Sequence, residues 1–207
     1  AVQACNFLCN HSTCGEYIPF YQLKHQRRIR LGSNTSFGAI YNTVVGTGNR
    51  MGVASSRNTL IGYNTDIIGF EKSFTKKLPT AKSKALILGT GGASMAIQYV
   101  LKKSGIDFLI VSRDKKGDIP YSDISEFLLS EYDIIINTTP IGTYPNVSEC
   151  PDIPYQYITT SHYCYDLIYN PDKTLFLQKA ENQGAAIQNG YEMLEIQAEE
   201  SWKIWNE

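Results

Sequence analysis

Gly89-Thr90-Gly91-Gly92-Ala93 follows the apolar run Leu86-Ile87-Leu88 and precedes a segment with helical spacing, an arrangement with the chemistry of a pyrophosphate site. Glycines let backbone come close to a ligand, and a helix start offers N–H groups without intrahelical acceptors beside the positive end of its dipole. The form is G-x-G-G-A rather than the full G-x-G-x-x-G, so a plain structural turn competes for Gly89, Gly91, Gly92 and Ala93. The strand before and the helix after favour phosphate binding. A second group, Val111-Ser112-Arg113-Asp114, ends the next apolar run, where a dinucleotide's adenosine ribose sits in folds of this kind. The Arg113 guanidinium can pair with a 2′-phosphate that a carboxylate would repel, so Ser112 and Arg113 favour NADP over NAD. Asp114 makes the local charge mixed, and the competing reading of Arg113, Lys115 and Lys116 is a solvated surface turn.

The elements that must position these groups follow from the pattern of apolar residues. Residues 84–88 read as a strand, and residues 93–104 as a helix carrying Ala93, Ile97, Val100 and Leu101 at helical spacing, with Gly105 as its C-terminal cap. Residues 108–111, 133–137 and 163–168 are further strands, and a helix over 173–183 ends at Gly184. Continuous apolar strands separated by helical segments predict a parallel, doubly wound α/β sheet of the Rossmann type, with the alternation persisting to about residue 185. Thr138 lies just past the 133–137 strand, at the carboxyl edge where ligands bind in open α/β sheets, so it is expected to face the cofactor, with a structural turn as the equal alternative. A last amphipathic helix over 191–205 places Met193, Gln197 and Ser201 on one face. Before residue 84 the spacing predicts strands at 43–45 and 60–63 and a helix over 67–77, while 5–37 has no period.

Composition excludes several classes. Nineteen basic against twenty acidic residues give a formal net charge of −1, no footprint for nucleic acid or an anionic membrane. No apolar run approaches the roughly 20 residues that span a bilayer, and the start lacks a signal pattern, so a cytoplasmic setting is expected. The five cysteines, Cys5, Cys9, Cys14, Cys150 and Cys164, suggest no disulfide framework, and Cys5 and Cys9 lack a second Cys or His pair to complete a zinc site. No metal is expected.

Several segments in order resemble shikimate dehydrogenases: residues 38–43 (Gly-Ala-Ile-Tyr-Asn-Thr), 62–70 (Gly-Tyr-Asn-Thr-Asp-Ile-Ile-Gly-Phe), the glycine loop, 136–142 (Ile-Asn-Thr-Thr-Pro-Ile-Gly), 166–171 (Asp-Leu-Ile-Tyr-Asn-Pro) and 189–194 (Asn-Gly-Tyr-Glu-Met-Leu). The match covers about residues 38–207. The resemblance implies reversible hydride transfer between NADP(H) and the 3-keto carbon of 3-dehydroshikimate, giving shikimate in the route to chorismate and aromatic amino acids. It makes Asp66 of the Asn64-Thr65-Asp66 motif catalytic, where the competing reading is a helix N-cap. It places Asn42, Asn64, Tyr169 and Gln197 on the substrate and makes Gly190 a point of close backbone approach to the nicotinamide. Packing of Tyr169 at a strand end and solvation of Gln197 are the plainer alternatives.

The resemblance fails before residue 38. The family's G-x-P-x-x-x-S-x-S opening and its N-V-T-x-P-x-K lysine motif are absent, so the general acid is unassigned; Lys24 is the nearest candidate by order, and His11 and His25 have no supporting motif. A truncated and frame-shifted reading of an ordinary gene would account for this, and a chain complete as written is expected to expose apolar sheet surface. The expected architecture is an NADP-binding lobe over 67–189 and a partial substrate lobe from 1–66 plus 190–207, with the site in the cleft between them. The expected function is NADP-dependent shikimate dehydrogenase acting on a small-molecule substrate. The alternatives are a quinate/shikimate dehydrogenase tolerating NAD and a cofactor-binding module without turnover.

Overall fold

The structure is a computed structural model, and it describes residues 29–30, 42–44, 50–56, 59–78 and 83–206. The expectations for 5–28, including Cys5, Cys9, Cys14, His11, Lys24 and His25, lie outside these residues.

Six parallel strands form the larger sheet: β5 (Ala85–Leu88), β6 (Phe108–Ser112), β7 (Ile119–Pro120), β8 (Ile134–Asn137), β9 (Tyr163–Asp166) and β10 (Ala186–Gln188), in the order β10-β9-β8-β5-β6-β7. Every residue of β5, β8 and β9 is buried, which is why these segments read as apolar runs, with Asn137 and Asp166 as polar residues at the carboxyl ends of β8 and β9. Chain order reverses between β5 and β8, the arrangement of a doubly wound dinucleotide fold. Register brings the carboxyl ends level: Leu88 pairs with Val111 on one side and Asn137 on the other, and Asn137 pairs with Asp166. The sequence pattern did not reveal β10, whose three residues are too few to show a period.

Alternation along the strands divides the core in two. Leu86, Leu88, Ile135 and Cys164 face Phe176 and Leu177 of α4 (Leu175–Asn182) and Leu129 of α3 (Glu126–Glu131). Ile87, Ile134, Ile136, Tyr163 and Tyr165 face α1 (Thr65–Phe74), α2 (Gly92–Lys103) and Met193 of α5 (Tyr191–Asn206). In α1, Phe70 and Phe74 stack at 4.7 Å and Phe70 meets Tyr165 edge-on at 5.2 Å, an aromatic seam between helix and sheet. Helix α2 ends as expected at Gly105, where the amides of Gly105 and Ile106 return to the carbonyls of Lys102 and Leu101.

Residues before β5 supply a four-stranded antiparallel sheet, β1 (Ile29–Arg30), β2 (Asn42–Val44), β3 (Arg50–Ser56) and β4 (Thr59–Asn64), in the order β1-β4-β3-β2. Strand β4 runs straight into α1, which starts two residues before the expected 67 and ends at Phe74, the turn Thr75–Lys77 being a 3-10 helix. Asn64, not Asp66, caps α1: its Oδ1 accepts from the amides of Asp66 and Ile67 at 3.1 and 3.4 Å. Helices α1 and α5 cross at Gly69, where a Cβ would lie 2.7 Å from the Met193 carbonyl oxygen. Among the described residues no helix is long and apolar enough to cross a membrane.

Candidate functional site

Chain order reverses between β5 and β8, the point at whose carboxyl edge open α/β sheets form their ligand crevice, and the glycine loop follows β5 directly at that edge. Gly89 takes φ +109°, a left-handed conformation that disfavours side chains, and a Cβ there would lie 2.9 Å from both Thr138 Oγ1 and Thr139 Cγ2. Gly91 is exposed, in extended backbone, with nothing among the described residues within 4 Å of an added Cβ. It is also the N-cap of α2, yet among the described residues no side chain caps that helix start, and no acidic residue stands in its first turn. The leading amides of buried Gly92 and half-buried Ala93 therefore belong to a bare helix start, suited to an anion.

Thr138 braces this loop: its amide and its hydroxyl both donate to the Leu88 carbonyl, at 3.0 and 2.7 Å. Ser112 ends β6 buried, its hydroxyl donating to Asp114 Oδ1 at 2.7 Å and accepting from the Asp114 amide at 3.3 Å. The Lys116 amide also donates to Asp114, and the Lys116 ammonium lies 3.7 Å from its other oxygen. These donors, the Ser112 hydroxyl first, hold the Asp114 carboxyl below its ordinary range. The turn thus ties the exposed Asp114 carboxylate to Ser112 and Lys116, while Arg113 and Lys115 are exposed beside it. The crevice fits a phosphorylated dinucleotide: amides at the glycine loop, and a cation past β6.

Asp66 is the second residue of α1 and 5% exposed. Gln197 faces α1 at the Gly69 crossing and is 3% exposed; its Nε2 donates to Leu194 O at 3.0 Å, but its Oε1 has no hydrogen-bond partner among the described residues. An unmet buried acceptor costs about 1–3 kcal/mol, so Gln197 is poised for an outside donor. Ser201, one turn on, reaches Thr65 Oγ1 at 3.3 Å, and Met193, Gln197 and Ser201 are all buried on one helix face as their spacing predicts.

Gly190 has a packing reason for being glycine: a Cβ there would lie 2.1 Å from the Leu167 carbonyl oxygen, and its amide donates to Ile168 O. The close approach is to protein backbone. Tyr169 follows, half-buried. Asn42 pairs with Gly52 in the small sheet, and its side chain lies outside the described residues. Gly89, Gly91, Ser112 and Thr138 therefore share one sheet edge, whereas Asn42 belongs to another sheet. Sequence reasoning assigned no role to Asp166, whose buried carboxylate accepts from Asn137 Nδ2, the Ile168 amide and the Thr174 hydroxyl. Its signal was an acid ending a fully buried strand, Tyr163-Cys164-Tyr165-Asp166.

No family model matches the chain. It is 39% identical over 161 residues to the NADP(+) shikimate dehydrogenase of Caldicellulosiruptor saccharolyticus, covering 70% of this chain and 58% of the relative. It is 38% identical over 168 residues to that of Methanococcus aeolicus, covering 74% and 60%. The chorismate mutase/shikimate 5-dehydrogenase fusion protein of Clostridium acetobutylicum superposes with a TM-score of 0.66 at 35% identity, covering 77% of this chain and 60% of that one. The chain spans less than two thirds of the length of these relatives. Its similarity in sequence and in fold places it in the shikimate dehydrogenase family.

Proposed function

We propose that this chain carries the NADP-binding lobe and part of the substrate lobe of a shikimate dehydrogenase, which reduces 3-dehydroshikimate reversibly to shikimate. The observation that carries the reading is the uncapped start of α2 at Gly91, open at the switch point of the parallel sheet and preceded by a loop with no room for side chains at Gly89. The relatives' cofactor, NADP(+), agrees with the exposed Arg113 past β6. We assign residues 67–189 to the NADP lobe and 1–66 with 190–207 to the substrate lobe.

When bound, NADPH supplies the hydride that turns the ketone carbon into an alcohol carbon. The backbone amides at Gly91–Ala93 hold the pyrophosphate and Arg113 the 2′-phosphate. Thr138 contributes by bracing the loop, its hydroxyl being committed to Leu88 O. In this reading the Asp66 carboxylate accepts and returns the proton of a substrate hydroxyl, and Asn64, its Oδ1 committed to the helix cap, offers Nδ2 to the substrate. Gln197 Oε1 accepts from a ring hydroxyl, which removes the cost of its burial without a partner.

Following NADPH absorbance on addition of 3-dehydroshikimate tests this reading. Substrate-dependent oxidation is expected, with Asp66→Asn lowering kcat by about 10²-fold or more. NADPH binding without turnover would instead make the chain a cofactor-binding module.

A further inference from the structure

Asp166 closes β9 with both carboxylate oxygens committed. Oδ1 accepts from Asn137 Nδ2 at 3.0 Å and from the Ile168 amide at 3.1 Å, and Oδ2 accepts from the Thr174 hydroxyl at 2.6 Å. The side chain is fully buried, and none of these three partners is a cation. Burial pushes its carboxyl up to about 6 while the three donors pull it down. A carboxylate so placed costs more than an apolar residue of similar size unless its bonds specify something.

Those bonds lead to both flanks of the crevice. With Nδ2 donating to Asp166, Asn137 must turn its Oδ1 toward Thr139, where it accepts from the amide at 3.0 Å and the hydroxyl at 2.7 Å. The Thr139 hydroxyl in turn accepts from the Ile141 amide at 3.3 Å. Thr139 Cγ2 and Thr138 Oγ1 are the two atoms that wall Gly89 at 2.9 Å. On the other side, the Ile168 carbonyl accepts from Gly190, and Tyr169 follows directly. Thr174, the third donor, is also the N-cap of α4, accepting from the Leu177 amide.

We propose that Asp166 is a positioning residue whose carboxylate locks Asn137 and Ile168 together, holding the Thr138–Thr139 wall of the glycine loop in register with the Tyr169 segment. Its importance for cofactor binding rests on the reading of the crevice as a dinucleotide site; the coupling itself does not. Asp166→Asn keeps the volume but supplies a single acceptor oxygen where the carboxylate uses two. Thr174→Val keeps the carboxylate and removes one donor.

The first readout needs no ligand: nuclear magnetic resonance of the intact chain, following the backbone amides of Thr139 and Ile168 and the side-chain amide of Asn137 from pH 7 to pH 5. Cys164, Tyr155 and Tyr165 also sense the Asp166 charge, but burial raises their own titrations, that of Cys164 to about 12, so all three stay neutral in this window. The three amide signals should move together with one midpoint in the unaltered chain, move with a higher midpoint in Thr174→Val, and stay still in Asp166→Asn. The second readout is NADPH fluorescence titration, where Asp166→Asn should bind about tenfold more weakly, the equivalent of one charge-assisted hydrogen bond. A purely structural role would lower the melting temperature without linking the three signals. Signals that titrate independently, or an Asp166→Asn chain that binds NADPH as the unaltered one does, overturn the proposal. Failure of the unaltered chain to bind NADPH would sink the dinucleotide reading, and the resonance data alone would then decide the coupling. Should Asp166→Asn not fold, the raised midpoint in Thr174→Val decides.

Discussion

Gly91 and Gly190 each stand just before a helix at the carboxyl edge of the same parallel sheet, and both belong to motifs shared with shikimate dehydrogenases, yet a side chain would meet opposite surroundings at the two. At Gly190 it would lie 2.1 Å from the backbone oxygen of Leu167; at Gly91 it would meet nothing among the described residues within 4 Å. The protein itself requires the first glycine and gives no packing reason for the second. A backbone left bare by the fold, beside an uncapped helix start, is where a ligand supplies the reason.

The largest expected effect breaks the Gly190 side. Gly190→Ala forces a methyl group into a backbone carbonyl that cannot give way, and denaturant unfolding should show a loss of about 3 kcal/mol or more. A loss under about 0.5 kcal/mol would show that the two segments are not packed as described.

Asp166 sharpens the same side, because its bond to Ile168 supports the contact with Gly190. Burial raises its carboxyl from 3.8 to about 6, so between these values the folded chain holds a proton that the unfolded chain has lost. Stability from this group is complete below pH 3.8 and is lost as pH rises through about 6, a change on the order of 3 kcal/mol. Urea titrations across that range should show stability falling with pH more steeply in the unaltered chain than in Asp166→Asn; equal slopes would contradict it.

On the Gly91 side the prediction inverts. Gly91→Val should change stability by no more than about 1 kcal/mol while weakening NADPH binding at least about tenfold, since the branched side chain fills space meant for phosphate. A stable variant with unaltered NADPH affinity would leave Gly91 without a function. The smallest effect belongs to Gln197: Gln197→Met removes a buried acceptor with no partner among the described residues and should raise stability by about 1 kcal/mol while lowering affinity for shikimate. Reduced stability with undiminished shikimate affinity would place the role of Gln197 in the fold.

Much of the larger sheet was legible because its chemistry is local. Ile134-Ile135-Ile136 and Ala85-Leu86-Ile87-Leu88 are apolar on both faces and declare buried parallel strands, and the glycines after Leu88 and Lys103 mark a turn and a cap. Strand β10 and the role of Asp166 were not legible. Ala186-Ile187-Gln188 gains its identity from pairing with β9, and an acid at a strand end acquires meaning only when Asn137 and Thr174, 29 and 8 residues away, converge on it. The same limit applied to the start of α1: the cap considered for Asp66 belongs to Asn64, two positions earlier, and only backbone geometry shows it. The packing reason for Gly190 was not legible either, because a motif carries no information about the Leu167 carbonyl across from it.

The most direct test of the central claim, that the Gly89–Ala93 loop and Arg113 together form a site for a 2′-phosphorylated dinucleotide, is fluorescence titration of the chain with NADPH and, separately, with NADH. Saturable binding with NADPH favoured at least about tenfold is the predicted result, the worth of one charge-assisted contact to the 2′-phosphate. Equal affinity for the two, or no saturable binding of either, would contradict it.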